Sequence, residues 1–207
     1  MPDGSPDGSP DKFAERRAEL GAAALHTLVT LGYARTSLRE IALTSAFSHG
    51  VLHYCFKDKL DLILCSVRQY KARCVRRYDQ VTADAQTLDA LLDVFLASLG
   101  DTLRAEAPLH RLWYDLRAQA LFEAEFRADL TEIDRRPAQM VLRVMARAAE
   151  LAGVRVSLPP AVMYAAVDGL FQQALLQHLS GDDQAVPVLQ ADVRCIATQM
   201  LGLAAPA

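Results

Sequence analysis

The chain has 207 residues, 52% of them hydrophobic, and a formal net charge of −3. That supplies a buried core for one large or two small domains. It contains no apolar run of about 18 residues to cross a bilayer. Its acidic N-terminus lacks the apolar stretch of a signal peptide, and its four cysteines form no C-x-x-C pair. These features point to a cytoplasmic globular protein with buried thiols at Cys55, Cys65, Cys74 and Cys195; a redox switch is the alternative. Charge is unevenly spread. Residues 12–77 hold 12 Lys/Arg against 5 Asp/Glu, whereas residues 78–207 hold 10 against 17. A basic end on an acidic body orients a molecule toward a polyanion.

Residues 1–10 carry a Pro-Asp-Gly-Ser repeat and are expected to be a disordered tail. The spacing then predicts a helix from about Asp11 to Leu31, with Phe13, Leu20, Ala24, Leu28 and Leu31 inward and Gly32 as its stop. Tyr33 should pack beneath the two short helices that follow. The first of these runs from about Ser37 to Thr44, with Leu38, Ile41 and Ala42 on one face. A tight turn follows at 45–47. The second helix covers about 48–56, with Ser48 as its cap and Leu52 and Phe56, four apart, pointing inward. Two helices joined by so short a turn make a helix-turn-helix, which lays its second helix in the major groove of DNA.

A connecting helix is predicted over 58–80, with Arg68, Lys71, Arg73, Arg76 and Arg77 mostly as surface charge. Lys59 stands in its first turn, where a cation opposes the helix dipole, so a phosphate contact is the better explanation. From Leu88 onward the periodicity is that of a helical bundle. Helices are expected near 87–104, 108–121, 122–129, 131–152, 160–180 and 185–204, with Pro108, Pro159, Pro160 and Pro187 at or near starts. In the 160–180 helix Ala161, Ala165 and Gly169 make an edge of small residues at four-residue spacing that permits a close helix approach. Val162, Leu170, Ala174, Leu175 and Leu179 add apolar surface elsewhere. The last helix carries Val188, Val193, Ile196, Ala197, Met200 and Leu201. The class is therefore all-α: a three-helix DNA-binding domain (11–57), a connecting helix, and a bundle (81–207).

Residues 16–60, within the 11–60 region, resemble the DNA-binding domain of the TetR family of bacterial transcriptional regulators. The matching elements are Leu31-Gly32-Tyr33, the run Thr36-Ser37-Leu38-Arg39-Glu40-Ile41-Ala42, the pattern Ser48-x-Gly50-x-Leu52-x-Tyr54-x-Phe56-Lys57-x-Lys59, and then Leu62 and Ile63. The sequence departs from the family at Ala46, where glycine is usual, and at the His53-Tyr54-Cys55 triplet. The resemblance implies a homodimer paired through the final two long helices, with Ala161, Ala165, Gly169, Ile196 and Met200 at the interface. It also implies a small-molecule effector and a palindromic operator in double-stranded DNA. No catalysis or cofactor is expected, and no metal, since His49 and His53 stand four apart with no carboxylate joining them.

Residue by residue, Gly50 lets the recognition helix approach DNA closely, Val51 can meet a thymine methyl, and His49 and His53 can bond base edges. Ser48, Thr36, Ser37, Tyr54, Lys59, Arg16 and Arg17 suit positions near phosphate oxygens. In the bundle, Phe95, Leu99, Trp113, Leu116, Phe122, Phe126, Met140, Met163, Tyr164 and Phe171 are large apolar residues that can line a cavity. His110, Tyr114, Arg117, Asp168 and Gln172 are interspersed as polar groups. The alternative is that the same aromatics only pack the core. Two other functions compete with a ligand-responsive regulator, most simply a repressor released by an apolar effector. One is an α-helical enzyme acting on a hydrophobic small molecule, for which no Ser/His/Asp set, phosphate loop or carboxylate pair is evident beyond a loose grouping of Glu106, His110 and Asp115. The other is a helical scaffold that does not bind DNA.

Overall fold

The computed structural model describes residues 10–156 and 158–203. The tail expected at 1–10 lies outside the described residues except for Pro10, which opens the first helix. Eight helices and no strands occur among the described residues, so the all-α class holds. They form two compact units that divide between Tyr70 and Lys71.

The first unit comprises α1 (Pro10–Arg35), α2 (Leu38–Thr44), α3 (His49–Cys55) and the start of α4 (Lys59–Ala83). α1 breaks at Gly32, whose φ of 75° lies in the left-handed region that glycine enters without Cβ strain. Ser37 and Ser48 cap α2 and α3, their hydroxyls accepting from Glu40 and Val51 N–H at 3.2 and 3.3 Å. Asp58 does the same for α4, accepting from Asp61 N–H at 2.8 Å. The core joins Leu20, Leu28, Ile41, Leu52, Phe56, Leu62 and Ile63, all at most 1% exposed. Phe13 is not part of it. It is 40% exposed and rests edge-on against Tyr54, because the buried stripe of α1 begins only at Leu20. Ala42 and Leu31 are half-buried.

The second unit contains the rest of α4, then α5 (Leu88–Phe122), α6 (Ala124–Ala152), α7 (Pro160–Leu179) and α8 (Ala185–Met200). α5 packs against α6, α7 and α8. Gly100 sets its approach to α8, since a Cβ there would lie 2.9 Å from Val186 Cγ1 and 2.8 Å from Gln190 Nε2. Arg143 of α6 grips Asp79 of α4 with bonds of 2.8–3.1 Å.

Two helix boundaries expected from sequence are absent. The 87–104 and 108–121 segments are one helix with Pro108 inside it, and 122–129 and 131–152 are one helix with Pro137 inside. An internal proline costs a helix about 3 kcal/mol. Here the apolar stripe outweighs that cost. Leu103 and Ala107 before Pro108 are buried with His110, Leu112, Trp113 and Leu116 after it, so interrupting α5 would uncover the core. The cysteines divide: Cys55 and Cys74 are buried, whereas Cys65 is half-buried and Cys195 exposed, so the expectation of four buried thiols is corrected.

Candidate nucleic-acid interface and internal cavity

The cap at Ser48 and the inward pair Leu52 and Phe56 fix which side of α3 faces out. His49, Gly50, His53 and Tyr54 are exposed, Tyr54 at 80%, and Val51 is half-buried. A Cβ added to Gly50 would meet nothing within 4 Å, so no intramolecular contact requires glycine there. His49 and His53 bring their Nε2 atoms to 3.2 Å. Ser37 is exposed beside α2, and Arg16 is exposed, bonded to Glu19 and lying 4.8 Å from the centre of the Phe47 ring.

Three residues expected at phosphate make contacts within the unit. Arg17 donates to both Asp61 oxygens, at 2.6 and 3.1 Å, and to the Cys55 carbonyl, while its guanidinium lies 4.4 Å from the centre of the Phe56 ring. It locks α1 onto the joint between α3 and α4. Thr36 is buried, and its hydroxyl donates to the Gly32 carbonyl at 2.7 Å. Lys59 donates to the Tyr33 carbonyl at 2.8 Å and stacks 4.0 Å from that ring's centre, which accounts for a cation at the start of α4 without DNA. Sequence reasoning also passed over Arg39 and Lys57. Both are exposed; Arg39 borders an open depression shared with Phe47, Ser48 and His49.

The bundle holds a partly open cavity of about 60 Å³. Of the expected ligand residues, Phe95, Leu99, His110, Tyr114, Met140, Tyr164, Asp168 and Phe171 line it. Seven do not. Leu116 and Phe126 are fully buried in packing. Phe122, at the last turn of α5, is 84% exposed, and Gln172 faces out on α7. Trp113 and Met163 are buried in the core without lining the cavity. Arg117 lies on an open groove of about 720 Å³ over α6 and α7. Tyr164 lines both the groove and the cavity.

Lys71, Cys74 and Tyr78 complete the cavity, and the first of these was expected at the surface. The signal was present: Leu64, Val67, Lys71, Cys74 and Tyr78 follow alternating three- and four-residue spacing and are all buried. Lys71 is 5% exposed, and its Nζ lies 4.5 Å from the centre of the Trp113 ring. Burial pushes its pKa down to about 8, against the opposing pull of Cys74, Asp168 and Asp134. Burial, aided by Lys71 and Arg77, likewise holds His110 well below the usual histidine range. The carboxylates nearby are engaged. Arg77 binds both oxygens of Glu106 at 2.5 and 3.2 Å. Asp168 accepts from Arg117 at 2.5 Å and Tyr114 at 3.0 Å, and Asp134 accepts from Tyr164 at 2.6 Å. Burial raises both phenols above their ordinary range, so they remain neutral donors.

Cys74, Glu106 and His110 offer possible metal-ligand atoms within 4.8 Å of one another. A divalent cation would have to displace the half-buried Arg77 from Glu106, beside the buried Lys71. The electrostatics of this pocket favour an anion.

Of the expected interface residues, Ala161, Ala165 and Gly169 are exposed along α7 with Val162 and Leu176, and a Cβ on Gly169 would meet nothing within 4 Å. Ile196 is half-buried. Met200 is 4% exposed and belongs to the protomer's own core, because α8 turns that edge inward with Val193 and Ala197.

No family model matches the chain, and no curated protein does. Solved structures do. A TetR transcription regulator from Haloarcula marismortui superposes with a TM-score of 0.73 at 20% identity, covering 91% of this chain and all of that one. The regulator FadR of Bacillus subtilis, in complex with stearoyl-CoA, gives 0.72 at 14% identity over 89% of this chain and 97% of its own. GusR of Salmonella enterica gives 0.72 at 16% identity over 96% and 100%. Among the described residues no helix is long and apolar enough to cross a membrane. The chain has the fold of the TetR-family transcriptional regulators.

Proposed function

We propose that this protein is a homodimeric, ligand-responsive DNA-binding regulator of the TetR family, acting in the cytoplasm as a repressor and released from a palindromic operator by a small apolar effector. The observation that carries this reading is the outward face of α3, where His49, Gly50, His53 and Tyr54 stand exposed with open space above Gly50. The excess of 12 basic over 5 acidic residues across 12–77 supports it, since phosphate contacts supply most of the non-specific affinity. Ser37, Ser48, Arg16, Arg39 and Lys57 are placed to position the backbone and α3 to read bases. Lys59 and Val51 contribute at the margins of that face. The exposed small-residue edge of α7 suits close pairing with a second copy. The stearoyl-CoA bound to FadR illustrates a small molecule held by this fold. Cys74 and His110 meet in the cavity wall, but burial raises the Cys74 thiol above its ordinary range and Arg77 holds Glu106, so enzyme chemistry has less support. Effector and operator act on one conformational equilibrium and must weaken each other by the same factor.

The test is a fluorescence-anisotropy titration of the duplex upstream of the protein's own gene. If a dimer meets about eight phosphates, log K should fall against log salt with a slope of about −7. A scrambled duplex should bind more weakly at each salt concentration. Absence of salt-dependent affinity for any duplex overturns the proposal in favour of an enzyme or a scaffold.

A further inference from the structure

We infer that the internal cavity receives a carboxylate, so that the effector is an elongated apolar monocarboxylic acid whose head group meets Lys71. This rests on reading the second unit as the effector-binding part. Lys71 lines the cavity at 5% exposure. Among the described residues its ammonium makes no hydrogen bond or ion pair, only the contact with the face of Trp113. A buried charge in that condition is costly unless something pairs with it. The protein's own carboxylates are not placed to do so. Asp168 is held by Arg117 and Tyr114, Glu106 by Arg77, and Asp134 by Tyr164. The pocket thus carries one unpaired ammonium, and the carboxylate in its wall, Asp168, is already committed to Arg117 and Tyr114.

The remaining walls set the body of the ligand. Phe95, Leu99, Met140, Val141 and Phe171 are apolar. About 60 Å³ accommodates a head group and a few carbon atoms at most. A longer chain leaves past Tyr164, which borders both the cavity and the outer groove. One ammonium matches a monoanion; a doubly charged phosphate would lack donors. The depressed proton affinity of Lys71 supports the geometry, because an arriving carboxylate would restore the charged form.

Trp113, the single tryptophan, lies against Lys71 and reports on the site. The protein would be titrated, without DNA, with decanoate below its micellar range and with decanol. Decanoate should change the Trp113 emission and bind about tenfold or more tightly than decanol, the worth of a charge-assisted bond. Lys71→Met should erase that preference, and Lys71→Arg should retain part of it. A melt of Lys71→Met no lower than the parent's shows that the fold survives, as expected when an apolar side chain of similar length replaces an unpaired buried charge. Acetate, small enough for the cavity as it stands, should raise the melting temperature of the parent over an equal concentration of chloride and leave Lys71→Met unmoved. Equal binding of decanoate and decanol to the parent, undiminished decanoate binding by Lys71→Met, or no binding of either probe together with no acetate effect overturns the inference. Decanoate that binds through Lys71 yet leaves operator affinity unchanged sinks the regulatory reading while the carboxylate site stands.

Discussion

Replacing Phe56 with alanine tests the facing of the recognition helix. Phe56 is 1% exposed, ends α3 with its N–H on the Leu52 carbonyl at 2.8 Å, and carries the Arg17 guanidinium 4.4 Å from its ring centre. Truncating a buried phenylalanine costs about 3–5 kcal/mol through lost transfer energy and the cavity left behind. Losing the cation–π contact adds about 1 kcal/mol. The first unit, of roughly 60 residues, has only about 3–9 kcal/mol in total at typical per-residue stability. Phe56→Ala should therefore unfold much of it at ambient temperature. Tyr54 is the control. It is 80% exposed and meets Phe13 edge-on at 6.1 Å between ring centres, so Tyr54→Ala should cost less than about 1 kcal/mol. Urea melts followed by far-UV circular dichroism should show the early transition lost in Phe56→Ala and nearly unchanged in Tyr54→Ala. Equal destabilisation by the two substitutions would refute the assignment of inner and outer faces.

Gly50→Glu places a carboxylate over the open face of α3 and should abolish duplex binding with the melt unchanged; Gly50→Ala, whose Cβ meets nothing, should stabilise the helix by about 0.5–1 kcal/mol and still weaken binding, and anisotropy with melts checks both. Gly169→Arg should convert a dimer at micromolar concentration into monomer or aggregate by sedimentation velocity, and a monomeric parent would count against pairing through α7. Asp61→Asn probes the Arg17 lock by pH: burial disfavours the Asp61 charge, but the bonds from Arg17 and from Lys57 N–H prevail and hold its pKa below the usual carboxylate value. Stability from such a group is full above the unfolded pKa of about 3.9 and lost as pH falls through the lower folded value, so the gap between parent and variant should be widest at neutral pH and close in acid. A gap independent of pH would contradict the lock.

The first unit was readable because its signals are local. Ser48 three residues before Val51, and Leu52 four before Phe56, state the cap and the inner face within one helical turn or so. What was missed there depends on partners far along the chain. Nothing near Arg17 announces Asp61, and nothing near Lys59 announces the Tyr33 carbonyl. In the second unit Pro108 suggests a boundary that packing overrides in α5, and no proline stands at the boundary expected near residue 130 of α6. The cavity residues erred differently. Aromatic residues mark burial, but which of them border a void depends on how neighbouring helices rotate. Trp113 and Met163 therefore fill the core while Phe122 escapes it. Lys71 was legible from its place in the buried stripe of α4, where charge was allowed to override spacing.

Pro108 and Pro137 lie near the same space: Pro137 lines the cavity, and Pro108 stands two residues before His110. Each removes one rung from its helix ladder, at the carbonyls of Arg104 and Ile133, and crowds that carbonyl with its ring. A long helix bends most cheaply where a rung is missing. The two longest helices of the bundle therefore each lack a rung near the void. Swelling of the cavity around a guest would be taken up as flexure at two known residues instead of as loosening throughout the core. Amide hydrogen exchange should then locate the guest's effect within a turn of each proline.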